Sequence, residues 1–281
     1  MNCRSLALSL LVPLVGVAGG PSTSPAGREC QPIVHVDTLL ATGTVVLVGE
    51  LHGTAESPAF VGAVACHAVD AGLDVSVALE IPTPEDDRIQ TFLDSDGTAD
   101  DRSELLDGSF WQAGEQDGRS SEAMAALLDR LRALRAAGLP VEVVLLDDTT
   151  GRGSGDQALA ERLVAAADAN EAGLVVSLTG NVHNPVVRGT EWDPDFEPMG
   201  YLAAQQLEPG RIVALDVASA GGSAWVCVDE CGVHEFEGDG QDVSKPVVEL
   251  HEELDDSGFH GVYHIGEITA SPPAVAPTGG S

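Results

Sequence analysis

Five largely apolar runs rich in β-branched residues set the strongest limit on how this chain folds: Thr44 to Gly49, Val75 to Glu80, Val141 to Leu146, Leu174 to Thr179 and Arg211 to Asp216. A strand with one wet face alternates apolar and polar side chains, whereas a near-continuous apolar run needs cover on both faces. Helical stretches supply that cover at Ser57 to Ala71, Pro84 to Leu93, Ser121 to Ala137 and Asp156 to Asn170. In the third of these, Met124, Leu127, Leu128, Leu131 and Leu134 share one face at three-and-four spacing, with Arg130, Arg132 and Arg135 elsewhere. The alternation predicts an α/β fold with a single mostly parallel central sheet covered by helices. Ser57 followed by Pro58 reads as a helix cap and first turn, and Ser154 with Gln157 as a capping box.

Past Asp216 the texture changes. Gly221-Gly222 precedes two short runs, Ala224 to Val228 and Gly232 to Phe236, which predict an antiparallel hairpin around Cys227 and Cys231. Gly261 to Ile265 is the last strand expected. Residues 271–281, with Pro272, Pro273 and Pro277, read as a loose tail.

The first residues have the pattern of an export signal: Arg4, then an apolar stretch from Leu6 to Ala18, then Gly/Pro/Ser-rich chain. That stretch is shorter than the roughly 20 residues a membrane-spanning helix needs. The expected organisation is a signal peptide over 1–18, a flexible leader over 19–32, an α/β domain over 33–270 and the tail, in a secreted or periplasmic protein with no membrane span. Cys3 leaves with the signal, and Cys30, Cys66, Cys227 and Cys231 remain in an oxidising compartment. Of three possible connectivities, Cys30–Cys66 and Cys227–Cys231 are expected, the first tying the leader to the first helix and the second closing the hairpin.

Charge excludes one class of partner. The chain carries 45 Asp plus Glu against 13 Lys plus Arg, a net charge of −32, and Lys245 is its one lysine. No basic stripe exists to meet phosphates, so nucleic acid is not an expected partner and a small-molecule substrate or ligand is.

In an open parallel sheet, ligands bind outside the carboxyl ends of the strands. There the first run leads into Gly49-Glu50-Leu51-His52-Gly53-Thr54, the second stops on Glu80, the third on Asp147-Asp148, the fourth on Gly180-Asn181-Val182-His183-Asn184 and the fifth on Asp216. Two Gly-x-x-His turns thus reach one rim. Small residues let the chain turn sharply, and each imidazole is a base or neutral ligand near pH 7. His52 and His183 beside Glu50 and Glu80 can orient a tautomer and strengthen a base, or complete a metal shell with Glu50, His52 and His183 as ligands. Arg119, in Gln116-Asp117-Gly118-Arg119, is a cation beside a helix start that either anchors an anionic substrate group or pairs with Asp117.

Other signatures are missing. Ser154 has Arg152 where a nucleophile elbow needs glycine, and Ser223 has Trp225. Gly151, Gly153 and Gly155 are followed by Ala158 where a dinucleotide fingerprint needs its last glycine. His251-Glu252-Glu253 meets Asp255 at the second histidine position of a zinc helix.

Gly49-Glu50-Leu51-His52-Gly53-Thr54-Ala55-Glu56 resembles the opening motif of erythromycin-esterase-like proteins. The paired Gly-x-x-His turns are similar to those of the wider superfamily that includes Tiki/TraB proteases and ChaN-type haem-binding proteins. Glu80, ending Val77-Ala78-Leu79-Glu80, matches the glutamate after the second strand of the esterase branch, and Phe259 to Ala270 resembles that branch's last strand. The resemblance implies an erythromycin-esterase/ChaN-like α/β fold. By the esterase branch it implies hydrolysis of ester or amide bonds without a cofactor. His52 is then the general base, Glu80 and Glu50 orient it, and His183 holds the substrate or developing oxyanion, with Arg119, Asn181 and Glu56 as substrate-contacting candidates. The Tiki branch implies a divalent metal held by the same turns. The ChaN branch implies haem or small-ligand binding without turnover.

Overall fold

The structure is a computed structural model that describes residues 29–148, 155–190 and 192–276. The expected signal peptide, most of the leader, Ser154 and the end of the tail lie outside the described residues. The strands are β1 (Val45–Glu50), β2 (Val75–Pro82), β3 (Val141–Asp147), β4 (Leu174–Gly180), β5 (Ile212–Cys227), β6 (Cys231–Glu237), β7 (Val247–Leu250) and β8 (Gly261–Ile268). The helices are α1 (Glu56–Asp70), α2 (Asp86–Leu93), α3 (Ala99–Leu106), α4 (Glu122–Ala136), α5 (Gly155–Ala169) and α6 (Met199–Ala204). One sheet runs in the order β3-β2-β4-β1-β5-β8-β7, with β6 paired to β5. Neighbours from β3 to β8 are parallel; β7 on β8 and β6 on β5 are antiparallel. This is the mostly parallel α/β fold that the sequence predicts.

In the central strands the runs are largely apolar because both faces are covered, whereas β3, at the sheet edge, exposes Glu142. Val46 and Val48 of β1 pack with Val61, Val64, Leu128 and Leu131 of α1 and α4. Val45 and Leu47 point the other way, toward Leu159, Leu163, Met199 and Ala203 of α5 and α6. Full burial of one such Val or Leu side chain contributes about 1.5–3 kcal/mol.

Local details differ from expectation where tertiary contacts decide. The first helix starts at Glu56 with Ala55 in the cap position and no side-chain cap. Ser57 is instead buried inside it, with Oγ 3.1 Å from the Tyr263 hydroxyl. That hydroxyl donates to the Gly49 carbonyl, and the Tyr263 ring stacks on Phe60 with centroids 4.5 Å apart. The second helix begins at Asp86, after a short 3-10 turn over Thr83–Glu85. α3 has a Thr98–Asp101 capping box that the sequence reading passed over. The fifth run and the first arm of the hairpin are one strand: β5 leaves β1 and β8 and continues into pairing with β6. Gly222, at φ +127° and without a side chain to meet the Ile268 carbonyl, lets that strand bend without breaking. The segment from Ser271, expected as loose tail, is fixed as far as Val275. Ser271 N–H donates to Gly53 O, its hydroxyl caps Ala123 N–H, and the Val275 carbonyl accepts from Gln116.

Both expected disulfides are present, Cys30–Cys66 across 36 residues and Cys227–Cys231 across 4. Closing the longer loop restricts the unfolded chain by about 4 kcal/mol in the chain-entropy picture. Thiol titration of the unreduced, signal-free protein is expected to find no free thiol, and two or more would contradict the pairing. Tyr263→Phe removes a buried donor from the Gly49 carbonyl and is expected to lower the unfolding free energy by about 1–3 kcal/mol; an unchanged denaturant midpoint would show that this bond holds nothing.

Candidate active site

Adjacent parallel strands whose onward connections cover opposite faces leave a crevice at their carboxyl ends. β1 and β4 are such a pair: α1, after β1, packs on one face, and α6, after β4, on the other. Their ends are in register, with Glu50 opposite Gly180. The two Gly-x-x-His turns leave from this point.

His52 Nδ1 lies 2.9 Å from Glu50 Oε1, and His183 Nδ1 lies 2.8 Å from Asp156 Oδ1. A carboxylate only accepts, so each Nδ1 carries the proton and each neutral ring keeps its lone pair on Nε2. Both Nε2 atoms face one group: His52 Nε2 is 3.6 Å from Glu80 Oε2, and His183 Nε2 is 3.9 Å from Glu80 Oε1. These separations exceed a direct hydrogen bond, so both lone pairs are available. Each imidazole keeps 22% of its side-chain surface open, which leaves room for water or substrate.

Glu80 itself is fixed. Gly180 N–H donates to Oε2 at 2.8 Å and Arg119 to Oε1 at 3.2 Å. The same guanidinium reaches Asp147 at 3.3 Å and Asp117 at 2.9 Å. Arg119 therefore pairs with Asp117, as one of the two sequence readings held, and also joins the ends of β2 and β3.

The surrounding charge moves the titrations. Burial alone lowers the His52 pKa, but the Glu50 hydrogen bond and the charges of Glu50, Glu80 and Asp117 outweigh it and hold the imidazole above its ordinary value. His183 follows the same pattern: burial lowers it, while the Asp156 hydrogen bond and the Glu80 and Asp156 charges bring it out above the ordinary value. Burial raises the Glu50 carboxyl against the pull of His52. Burial also raises the Asp117 carboxyl, but its bonds to Arg119 leave it below the usual range.

Close approach requires glycine at one position of the rim and favours it at another. Gly53, at φ +72°, sits where a Cβ would come within 1.9 Å of the Trp225 carbonyl. A Cβ on Gly180 would stand 3.0 Å from His52 Nε2, against the lone pair itself. Trp225 of β5 ties the two halves of the rim: its N–H donates to Gly53 O at 2.9 Å, and its indole N–H to Gln116 O at 3.0 Å. The long bent strand thus holds both the turn with His52 and the loop with Arg119.

Asn181 donates to Asp216 Oδ1 at 3.4 Å and stands beside the cluster. Glu56 accepts from Thr269 N–H at 2.9 Å and joins the start of α1 to the chain after β8, outside the imidazole cluster. Asp156 is the partner that sequence reading missed. The sequence pattern places it at the start of a helix, and its Oδ1 also accepts from Met199 N–H at 2.8 Å. Its one sequence signal is an acidic first-turn residue shortly after the carboxyl end of β3. The proposed metal ligands Glu50, His52 and His183 do not converge, because Glu50 sits at the Nδ1 of His52 whereas His183 lies across Glu80 from its Nε2. Among the described residues, the group of three whose ligand atoms come within 4.8 Å of one another is Cys30, Cys66 and Asp70. There both sulfurs belong to a disulfide.

A group whose folded pKa is raised stabilises the fold fully below its unfolded pKa and loses that contribution as pH rises through the folded value. For His52 and His183 the loss starts above about pH 6.5. Asp156→Asn is expected to bring the proton NMR titration midpoint of His183 down toward the ordinary imidazole value while leaving that of His52 raised; a His183 midpoint that does not move would disprove the pairing.

No protein-family model and no curated protein matches the sequence. Solved structures do match in fold. A mutant of erythromycin esterase EreC in its open conformation superposes with a TM-score of 0.61 at 10% identity, over 83% of this chain and 93% of that one. A Bacillus cereus protein gives 0.57 at 9% identity over 85% and 92%, and a succinoglycan biosynthesis protein 0.55 at 11% over 84% and 91%. Likeness at such identities is likeness of fold: the chain has the erythromycin-esterase-like α/β fold that its two histidine turns implied.

Proposed function

We propose that the chain hydrolyses ester or amide bonds of a small molecule, with His52 as general base and His183 as its acid partner. The observation that carries this reading is the pair of imidazoles anchored at Nδ1 by carboxylates, with both Nε2 atoms facing Glu80. Neutral His52 accepts a proton at Nε2 from water as the water oxygen bonds to the carbonyl carbon, and Glu50 holds the resulting imidazolium through Nδ1–H. Protonated His183 donates from Nε2 to the developing oxyanion and then gives its proton to the departing oxygen or nitrogen as the bond to carbon breaks. Glu80 lies between the two rings and compensates whichever is charged. The fold shared with a protein named an erythromycin esterase supports a hydrolase and supplies no substrate.

We read the protein as secreted or periplasmic, in keeping with two disulfides and with the absence, among the described residues, of any helix long and apolar enough to cross a membrane. The net charge of −32 supports small molecules over nucleic acid as partners. The metal-assisted alternative requires Glu50 to leave His52; loss of activity on exhaustive chelation, restored by a divalent ion, would favour it.

General acid–base groups contribute about 10²–10⁴-fold. Against a panel of ester and amide substrates, folded His52→Ala is expected to lose activity by about that factor, and turnover as fast as the parent's would sink the mechanism. The rate is expected to rise with pH through an apparent value above about 6.5, where His52 loses its proton, and to fall as His183 loses its own. Glu50→Gln removes the strongest hold on the imidazolium, so the rising limb is expected to move to lower pH with a smaller maximal rate.

A further inference from the structure

We propose that the cavity beside the second histidine turn is a subsite for a positively charged, amine-bearing apolar group of the substrate; its use in turnover rests on the hydrolase reading above, whereas its binding does not. The cavity has a volume of about 590 Å³, within the range of small-molecule sites. Its wall includes Asn181 and Val182, the two residues before His183, so it adjoins the second histidine turn. Val187, Trp192 and Phe259 give it apolar surface. Trp192 is 75% exposed, the most exposed large hydrophobic side chain among the described residues. An indole face lining a hollow attracts cations more strongly than any other side-chain ring.

The charges in the wall point to the same ligand. Asp216 and Asp256 line the cavity, and so does Arg188. That guanidinium pairs with Asp195 at 3.2 Å and Glu197 at 3.5 Å, and makes no ion pair with Asp216 among the described residues. Asp216 Oδ1 accepts from Val217 N–H at 2.9 Å and from Asn181 at 3.4 Å. Burial raises this carboxyl above the usual range against those two hydrogen bonds, and the charges of Asp239 and Asp255 add to the rise, so a cation beside it would stabilise its ionised form. The overall charge of −32 draws cations toward the protein. On the β2–β3 side of the cluster a second hollow, of about 320 Å³, is walled by Phe110, Asp117 and Arg119. On the hydrolase reading, the amine-bearing part of the substrate occupies the hollow on the Trp192 side.

The test is calorimetric titration of the signal-free protein at low ionic strength with benzyltrimethylammonium and with benzyl alcohol as the neutral aromatic comparator. The cation is expected to bind about tenfold tighter than the alcohol, in line with a cation–π contact beside a carboxylate. Trp192→Ala is expected to weaken the cation about three- to tenfold. Asp216→Asn, which keeps an acceptor oxygen for Val217 N–H, is expected to weaken it about fivefold or more without affecting the alcohol. His52→Ala is expected to bind the cation like the parent. Equal affinity for cation and alcohol, or cation binding unchanged in both cavity variants, overturns the proposal even if the ester panel is cleaved. The predicted binding pattern with no cleavage of the panel upholds the subsite and counts against the hydrolase reading alone.

Discussion

Burying the carboxylate of Glu80 at the end of a central strand is costly unless its oxygens are bonded, and the rim is arranged around meeting that need. Glu80 is 8% exposed. Gly180 N–H from β4 holds one oxygen and Arg119 from the loop before α4 the other. Through Arg119 the same carboxylate is coupled to Asp117 and Asp147. Four elements, β2, β3, β4 and the loop before α4, are thereby fixed relative to one another, and His52 and His183 pack against the result. The site follows from satisfying one buried charge.

That arrangement explains why the imidazoles keep their protons above the ordinary pH. Five carboxylates, Glu50, Glu80, Asp117, Asp147 and Asp156, share one guanidinium and two histidines. Desolvation opposes charge on the rings, yet hydrogen bonds at Nδ1 and the surrounding negative charge outweigh it. The two titrations are coupled, since a proton on one ring raises the positive potential at the other and each reads the charge on Glu80. An acid and a base side by side can then come from chemically identical residues.

Much of this was legible in the sequence because it depends on local pattern. The apolar runs announce strands covered on both faces, and their polar last residues place Glu50, Glu80, Gly180 and Asp216 at one rim. The expected hairpin puts Cys227 beside Cys231, and Cys30 and Cys66 are then left to each other. Asp156 was not legible, because a helix-start aspartate is ordinarily local and its bond to His183 spans 27 residues. Ser57 had the composition of a cap but is consumed by Tyr263, a partner 206 residues away. The continuity of β5 was hidden by Gly221-Gly222, which reads as a break and acts as a bend. The clamp made by Trp225 on Gly53 and Gln116 carries no sequence signal, since it depends on where that bend directs the strand.

The central claim is that Glu50 and Asp156 fix both histidines with the proton on Nδ1 and the lone pair on Nε2. Nitrogen-15 NMR of the histidine rings, at a pH high enough to neutralise both, reads this directly. The account predicts a protonated Nδ1 and an unprotonated Nε2 for His52 and for His183. An Nε2–H tautomer at His52 would leave no base facing the substrate and would contradict it.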